Sequence, residues 1–377
     1  MIRWGILGTG GIACQFATGL SYLPEARLAA VGSRTAGRAA WFGDTFAVPR
    51  RHASYAALAA DPDVDVVYVA TPHPCHLADA LLCLEHGKAV LCEKPLTMNS
   101  VEAGTLVARA RAKRLFLMEA MWMRFFPLMF RLRELLAEGV IGEVRMVYAD
   151  FGFHPAYDPA GRLLNRELGG GSLLDVGVYP VSFAHMILGE PERVTGFAHL
   201  GETGVDEQAA FVLAYAGGRL ASLTSSVRHR TAQEAVIVGS EGLIRVHARF
   251  WRPSRMTLSR ERGAPAAKEM SRWTELGLRI RGSLVARARQ SLFLRRLAAR
   301  HRWLAERVLE DRSDLVIDVP YTGNGYNYEA AEVMRRLGAG ELESPTMPLD
   351  ESIAVMRTLD RIREPWGLRY PADESRR

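Results

Sequence analysis

Long apolar runs and paired cysteines are both scarce in this 377-residue sequence. No run approaches the roughly eighteen apolar residues that a membrane span needs, which excludes the membrane-spanning classes. The four cysteines, Cys14, Cys75, Cys83 and Cys92, lie in the first quarter without CxxC spacing, so we expect free thiols. Met1 leads directly into an apolar run, which leaves no room for a signal peptide. Together these absences predict a cytoplasmic protein.

Clustered metal ligands are also lacking. His73, Cys75 and His76 lie close together in the sequence, but no second group of His, Cys, Asp or Glu completes a ligand set. We therefore expect no metal.

A glycine-rich turn opens the chain between an apolar, strand-like run at 3–7 and a helical pattern at 12–20. In that context Gly8 permits a tight turn, Gly10 lets the backbone approach a pyrophosphate, and Ala13 is small enough for the helix to pack closely on the strand. The first helical amides then point at the diphosphate. The alternative is an ordinary glycine-containing turn, but the strand and helix on either side favour dinucleotide binding. The predicted contacts of this turn are Gly8, Gly10, Gly11, Ile12 and Ala13.

The end of the second predicted strand, at 26–32, indicates which dinucleotide is bound. An NAD-preferring site usually places Asp or Glu here, but this chain has Ser33, Arg34 and Thr35. A guanidinium pairs with a 2′-phosphate, so the pattern favours NADP and leaves NAD open. Arg38 lies four residues after Arg34 and would flank the same phosphate on a helix. The alternative is that both arginines are solvated surface residues.

Two further strand ends carry polar residues. The runs at 65–71 and 89–92 are continuously apolar, as in parallel strands that are covered on both faces, and 76–86 between them has helical spacing. Open α/β sheets bind ligands just beyond the carboxyl ends of their strands. We therefore expect cofactor contacts from Thr71, Pro72, His73, His76, Glu93 and Lys94. Pro95 biases Lys94 toward an extended conformation, so its ammonium is expected beside a nicotinamide. The alternative is a solvated surface lysine.

A third cluster follows three glycines at 169–171. Ser172 is expected to cap a helix at 173–188, and the glycines are expected to leave a side-chain-free approach for a substrate. Asp175 and Tyr179 are four residues apart, so they share one face of that helix. A tyrosine titrates near pH 10 and is a poor base unless a cation stabilises its phenolate, a role we assign to Lys94. The alternative is a helix-start acid and a core tyrosine.

The remaining pattern predicts a second domain. With 48% hydrophobic residues the chain is long enough for two cores, and we divide it into 1–120 and 121–377. Strands are expected at 143–153, 208–215, 219–227, 234–239 and 242–247, with a hairpin turn at 217–218. Helices at 328–337 and 349–363 close the chain, the latter capped by Asp350. The predicted fold class is α/β, a doubly wound dinucleotide-binding domain followed by an α+β domain.

The chain resembles the glucose-fructose oxidoreductase-like (Gfo/Idh/MocA) family, and within it the dihydrodiol dehydrogenases and the NADP-dependent D-xylose dehydrogenases. The resemblance is carried by GILGTGGIA at 5–13, GSRT at 32–35, ATPHPCH at 70–76, EKPLTMN at 93–99, MEAMWMRFFP at 118–127, GGGSLLDVGVYPV at 169–181, GNGYNYEA at 323–330 and WGLRYP at 366–371. It implies a Rossmann domain, a catalytic pair of Lys94 and Tyr179 supported by Asp175, and a second domain whose open, mostly antiparallel sheet forms a homodimer. Relatives with histidine in place of Tyr179 include inositol-type dehydrogenases, so the tyrosine favours the dihydrodiol and aldose-oxidising branch.

These residues together predict reversible hydride transfer between a nicotinamide and a carbinol carbon of an aldose or a cyclic trans-dihydrodiol. The expected substrate contacts are Trp122, Arg124, Phe151, Phe153 and Trp251, although each aromatic side chain could equally be core packing. Two other functions stay open. One is an NAD-dependent glycoside hydrolase of the same fold, and the other is a non-catalytic NADP-binding sensor.

A basic segment departs from the family pattern. Residues 251–312 contain sixteen Lys and Arg against six Asp and Glu, whereas the whole chain has a net charge of only +6. We predict a helical insertion here, with a helix at 283–309 that has a loosely apolar stripe. A surface hairpin with solvated arginines is the plain interpretation. Contact with a partner or an anionic surface stays open, as does a position beside the substrate cleft, and we expect no nucleic-acid partner.

Overall fold

The apolar runs of the first 120 residues form a six-stranded parallel sheet in the computed structural model, which describes residues 1–261 and 312–374. Every neighbouring pair in this sheet is parallel, in the order β3-β2-β1-β4-β5-β6. The strands are β1 Ile2–Leu7, β2 Ala26–Gly32, β3 Arg50–His52, β4 Val66–Val69, β5 Ala89–Glu93 and β6 Leu117–Ala120. The strand order reverses between β1 and β4, and open α/β sheets bind their ligands at such a point.

Helices connect these strands and cover the sheet. They are α1 Gly11–Leu20, α2 Ala36–Phe46, α3 Tyr55–Ala59, α4 His76–Glu85 and α5 Ser100–Lys113. The side-chain oxygens of Thr35, Ser54 and Asn99 cap the starts of α2, α3 and α5, where each accepts a hydrogen bond from a backbone amide of the first turn. Helix α1 has Gly10 at its N-cap position and therefore no side-chain cap, which leaves its first amides available.

A second sheet of eight strands follows, in the order β14-β13-β12-β11-β7-β10-β9-β8. All of its pairs are antiparallel except β7 with β10. Its strands are β7 Val144–Gly152, β8 Arg193–Leu200, β9 Asp206–Ala214, β10 Leu220–Ser226, β11 Ala235–Gly239, β12 Gly242–Val246, β13 Arg255–Glu261 and β14 Arg312–Asp318. The α/β fold class, with a mostly antiparallel second sheet, is confirmed.

The later helices join the two sheets. They are α6 Pro127–Ala137, α7 Val178–Leu188, α8 Tyr326–Gly338, α9 Leu349–Arg363 and α10 Pro371–Glu374. Helix α7 packs on one face of the second sheet. Helix α8 packs on α1, and α9 packs on α5 and α7, so the C-terminal helices contact the first domain. The division at residue 120 stays a prediction.

Two expected helix caps are wrong. Helix α9 has Pro348 at its N-cap position and no side-chain cap, because Asp350 lies inside the first turn of the helix, where its carboxylate pairs with Arg111 of α5. Ser172 does not cap either; its hydroxyl donates to Asp206, and the helix opens with a π-turn at Leu173–Gly177 before α7. The predicted basic helix at 283–309, and all of 262–311, lie outside the described residues.

One stretch of the described chain, Arg166–Leu188, is long and apolar enough to cross a membrane by composition alone. Since 89% of its most apolar window is buried inside the fold, it has the character of a core helix.

The three glycines at 169–171, within this stretch, allow close packing of the protein on itself. Gly169 and Gly171 have φ values of +70° and +116°. A Cβ on Gly170 would lie 2.8 Å from the Leu163 carbonyl oxygen, and one on Gly171 would lie 2.3 Å from Asp206 Oδ1. None of the three lines the central cavity, so the expected side-chain-free approach for a substrate is wrong.

A buried carboxylate holds the start of the π-turn. Asp206 Oδ2 accepts hydrogen bonds from the Leu173 amide (2.6 Å) and from the Ser172 hydroxyl (2.8 Å), and that hydroxyl also contacts Ser225 Oγ at 2.9 Å. Burial raises the pKa of Asp206 to about 7, although these hydrogen bonds oppose the rise.

This pKa predicts a stability that falls with rising pH. The folded-state value lies above the roughly 3.9 of an unfolded Asp, so the folded protein binds this proton more tightly, and stability declines as pH rises from about 4 through 7. In Asp206→Asn the buried group cannot ionise. Between pH 5 and 8, we therefore expect the free energy of unfolding to fall by about 2 to 3 kcal/mol more in wild type than in Asp206→Asn. Urea titrations at several pH values measure this difference, and equal pH slopes in the two proteins would contradict it.

Candidate active site

One cavity of about 630 Å³ runs along the carboxyl ends of β1, β2, β4 and β5 toward the second sheet. Of the predicted cofactor contacts, all but Ala13 line it. Those that do are Gly8, Gly10, Gly11, Ile12, Ser33, Arg34, Arg38, Thr71, Pro72, His73, His76, Glu93 and Lys94. Ala13 is fully buried in the core of the first domain, which agrees with its predicted role in helix packing but not with a cofactor contact.

The glycine turn fits a dinucleotide diphosphate. Gly8 has φ +109°, and a Cβ there would lie 2.7 Å from the Ala70 carbonyl oxygen of the neighbouring strand end, so only glycine fits. A Cβ on Gly10 or Gly11 would meet no protein atom, because both positions face open space. The uncapped first amides of α1 lie at the same point, where an anion is favoured.

The end of β2 forms the basic rim of the cavity. Arg38 donates to the Thr9 carbonyl oxygen at 2.8 Å and its guanidinium lies 4.6 Å from the centre of the Trp41 ring, so it braces the glycine turn. Arg34 is exposed at the rim, between the buried Ser33 and the helix cap Thr35. Of the two arginines, Arg34 therefore has the greater freedom to reach a phosphate.

The two histidines have different surroundings. The two ring nitrogens of His76 lie 2.9 Å from the carbonyl oxygens of Pro95 and Thr71, so this residue ties together the loops after β4 and β5. His73 Nδ1 lies 3.2 Å from the Gly169 carbonyl oxygen, and its Nε2 lies 4.0 Å from Asp175. Burial lowers the pKa of both rings, and that of His73 falls well below its ordinary value, so His73 is neutral at neutral pH.

Lys94, Asp175 and Tyr179 meet at the inner end of the cavity. Lys94 Nζ donates to the Asp175 carbonyl oxygen at 2.7 Å and lies 3.4 Å from its carboxylate Oδ1. The same ammonium lies 5.0 Å from the centre of the Tyr179 ring. The structure thus brings together a lysine from the end of β5 and two residues from the π-turn and α7.

The Asp175 carboxylate is ionised although it is buried. Burial alone would raise its pKa, but the positive charges of Lys94 and Arg162 outweigh that effect and lower the pKa below its ordinary value. Nearby, burial raises the pKa of Glu93, and Lys94 opposes this rise. Glu93 accepts hydrogen bonds from the Tyr68 hydroxyl and, at 3.1 Å, from the Lys94 amide, so its carboxylate orients the backbone at Lys94.

Tyr179 is a neutral phenol, which corrects one expectation. Burial, followed by the charge of Glu93, raises its pKa well above 10, so the net shift is opposite to the lowering that we predicted from Lys94. Lys94 contacts the ring and donates to Asp175 rather than to the hydroxyl. The Trp122 indole N–H donates to the Tyr179 oxygen at 2.8 Å. The hydroxyl's own proton therefore stays available for a substrate oxygen.

The aromatic residues expected to contact a substrate do line the cavity. Phe151 and Trp251 stack with ring centres 3.5 Å apart, and Phe153 lies 6.3 Å from Phe151. Trp122 also lines the cavity, where its indole contacts Tyr179. Arg124 does not reach the cavity, so its predicted substrate contact is wrong. It is buried against α7 and α9, where it donates to Ser182 and pairs with Glu351 at 2.5 Å.

Several lining residues were not predicted. They are Thr9, Thr35, Tyr55, Ala70, Arg162, Val176 and Tyr326. Tyr326 stacks on Trp122 at 4.6 Å, and the GNGYNYEA motif that contains it was a signal for its importance. No sequence pattern indicated Arg162, because it lies in a loop thirteen residues before Asp175, whose carboxylate it contacts. Residues 1–261 and 312–374 contain no group of three or more His, Cys, Asp or Glu arranged to hold a metal.

Comparison with known proteins shows which families and relatives this chain resembles. Residues 2–121 match the family model described as oxidoreductase family, NAD-binding Rossmann fold, and residues 129–245 match the GFO/IDH/MocA C-terminal domain. The chain is 36% identical to mouse trans-1,2-dihydrobenzene-1,2-diol dehydrogenase and 33% identical to the human protein of that name. Both alignments cover 99% of this chain and 99% of the relative.

Solved structures are similar over the same length. A 3-ketoreductase from Actinomadura kijaniata in complex with NADP and TDP-benzene has a TM-score of 0.76 and 25% identity, covering 96% of this chain and 97% of its own. An aldose-aldose oxidoreductase from Caulobacter crescentus, at 21% identity and a TM-score of 0.75, shares the fold over 97% and 98% of the two chains. From its end-to-end similarity and its two matching domains, the chain belongs to the Gfo/Idh/MocA family of NAD-binding oxidoreductases.

Proposed function

We propose that this protein is an NADP-preferring oxidoreductase that transfers a hydride between the nicotinamide and a carbinol carbon of a cyclic trans-dihydrodiol or an aldose. One observation carries the proposal: Lys94, Asp175 and Tyr179 meet at the inner end of a cavity whose outer end is a glycine turn with uncapped helix amides. A dinucleotide diphosphate on that turn would direct its nicotinamide toward these three side chains.

The residues that line the cavity favour a cyclic diol as the first substrate class to test. The stacked Phe151 and Trp251 offer an apolar surface next to the polar group of Lys94, Asp175 and Tyr179. A substrate with one apolar face and two adjacent hydroxyls fits this division. The curated relatives at 33–36% identity are named for such a diol, which supports the same choice. Aldoses, including D-xylose, are the second class.

The side chains divide the proton chemistry between them. A bound nicotinamide supplies the acceptor for the carbinol hydride, or the donor in the reverse direction. In reduction, the neutral Tyr179 hydroxyl donates its proton to the substrate carbonyl oxygen as that oxygen becomes a hydroxyl. In oxidation, the hydroxyl proton of the substrate passes to the Tyr179 phenolate. Lys94 stabilises negative charge on the substrate oxygen in both directions, and Asp175 holds Lys94.

The raised pKa of Tyr179 predicts different pH profiles for the two directions. Reduction needs the protonated phenol, which dominates throughout pH 6–9, so its kcat/KM stays level there. Oxidation needs the phenolate, so its kcat/KM rises by about tenfold per pH unit over the same range.

Tyr179→Phe is expected to lower turnover by about a hundred- to ten-thousandfold and to leave NADP affinity near normal. Stopped-flow or steady-state rates measured in both directions test this.

A matched control for that variant is Tyr215→Phe, which removes a buried hydroxyl that makes no hydrogen bond within the described residues. It is expected to keep wild-type rates. Wild-type turnover in Tyr179→Phe would remove Tyr179 from the mechanism.

The activity itself is tested with a panel of trans-dihydrodiols, aldoses and their keto products, followed by nicotinamide absorbance with NADP and NAD in parallel. A lasting change in absorbance with at least one pair is expected. Release of a reducing sugar without that change would identify a glycoside hydrolase. Cofactor binding without any turnover would identify a sensor.

The NADP preference rests on Arg34 at the rim of the cavity. Loss of a charge-assisted hydrogen bond costs about 1.5–3 kcal/mol, so Arg34→Ala is expected to weaken NADP binding by roughly ten- to a hundredfold and to change NAD binding little. Calorimetric titrations with both cofactors measure the two dissociation constants. The control is Arg27→Ala, which removes an exposed arginine at the opposite end of β2. Equal losses for NAD and NADP would contradict the assignment.

We include a homodimer in the proposal, formed through the outer face of the second sheet. Helix α7 covers one face of that sheet, and the opposite face carries Phe197, which is 86% exposed, together with the exposed Tyr148 and Leu220. Exposed aromatic side chains on an open sheet are typical of an interface. The free thiols of all four cysteines support a reducing, cytoplasmic location.

Sedimentation velocity tests the dimer. Phe197→Asp combined with Tyr148→Asp is expected to shift a dimeric protein to monomer, because the interface would have to bury two carboxylates. The control is Val101→Asp, which changes an exposed residue of α5 away from the sheet. A wild-type protein that sediments as a monomer would exclude the dimer.

A further inference from the structure

Arg162 lies in the turn between β7 and the three glycines, and its side chain reaches the inner end of the cavity. Its guanidinium donates to Asp175 Oδ1 at 2.9 Å, which is closer than Lys94 Nζ comes to the same oxygen. The side chain is 43% exposed and lines the cavity, whereas the Asp175 side chain is 7% exposed. The partly solvated Arg162 guanidinium thus helps to neutralise the buried Asp175 carboxylate, which Lys94 also contacts.

The turn that carries Arg162 is held in a fixed place. The Gly171 amide donates to the Leu163 carbonyl oxygen at 2.9 Å, and the Gly170 amide donates to the Asn165 carbonyl oxygen at 2.9 Å. A Cβ on Gly170 would lie 2.9 Å from the carbonyl oxygen of Arg162 itself. The glycines therefore let the turn approach the start of the helix that carries Asp175.

The position of Asp175 decides where Lys94 points. Lys94 donates to both the carbonyl and the carboxylate of Asp175, and Arg162 shares that carboxylate. Without Arg162, the carboxylate would be free to turn fully toward Lys94 and form a shorter ion pair. The ammonium would then be drawn away from the substrate oxygen that it stabilises.

We infer that Arg162 is a positioning residue, which acts through Asp175 to hold the Lys94 ammonium in place for catalysis. The inference deepens the proposed function and rests on it for its kinetic consequence. The geometric part concerns only the charges around Asp175, and it can be measured without turnover.

The kinetic test compares Arg162→Gln and Arg162→Lys with wild type on whichever substrate the panel identifies. A displacement of about an ångström in a catalytic group can cost around a hundredfold, so Arg162→Gln is expected to lower kcat by roughly ten- to a hundredfold. KM and the NADP dissociation constant should change less than kcat. Arg162→Lys keeps a cation and is expected to recover part of the loss.

The matched control is Arg166→Gln. Arg166 is an arginine of the same connecting segment that also pairs with a carboxylate, but its partners are Glu374 and the Arg369 carbonyl oxygen at the surface. Because it does not line the cavity, its loss is expected to leave kcat and KM near wild type. If KM rises in Arg162→Gln while kcat is kept, or if neither constant changes, the positioning role is refuted.

A second measurement, the titration of His73 by NMR, keeps the test independent of turnover. The charged and titratable groups that face His73 are Asp175, Lys94, Arg162 and His76. Removing the Arg162 cation takes away one source of repulsion and leaves the Asp175 anion, so the pKa of His73 is expected to rise in Arg162→Gln.

The His73 signal is assigned by its loss in His73→Asn, and Arg166→Gln should titrate as wild type. An unchanged His73 pKa in Arg162→Gln would overturn the inference whatever the activity proves to be. A shifted His73 in a protein that oxidises no diol or aldose would instead locate the failure in the proposed function.

Discussion

The buried carboxylate of Asp175 is the group on which the arrangement of the active site depends. A lone charge in such a place would be protonated or would destabilise the fold, because burial strongly disfavours ionisation. Lys94 and Arg162 come from two distant segments of the chain and keep Asp175 ionised. The same contacts join the end of β5, the turn after β7 and the helix of Tyr179 at one point. The contacts that keep Asp175 ionised therefore also hold these three segments together.

Around this anion the cavity is divided by function. Its outer end has uncapped helix amides and an exposed arginine, both suited to phosphate oxygens. Its inner end has a neutral phenol, a lysine and stacked aromatic rings. The hydrogen bond from Trp122 occupies one side of the Tyr179 oxygen and leaves its proton to face a substrate. A neutral tyrosine is able to donate a proton to a carbonyl oxygen, and its phenolate is able to accept one from a hydroxyl.

The predictions that proved wrong have common physical causes. We predicted that the three glycines leave an approach for the substrate. Instead, their lack of side chains allows the Leu163 carbonyl and Asp206 to pack against them. Ser172 and Asp350 are residue types that often cap helices, but Ser172 donates to Asp206, and Asp350 lies inside the first turn of α9 and pairs with Arg111. Arg124 lies two residues after Trp122 in the sequence, but its side chain points away from the cavity and forms a buried pair with Glu351. In each case a long-range contact outweighed a local preference.

The sequence alone determines the alternation of strands and helices, the glycine turn, and the strand ends at which polar residues gather, because these follow from local periodicity and backbone sterics. It also indicates Lys94, Asp175 and Tyr179 through their motifs. Only the tertiary structure decides which charges share a buried site, that Tyr179 is neutral, and that Arg162 reaches Asp175. Burial and charge pairing depend on distances between segments far apart in the chain, and no local pattern contains those distances.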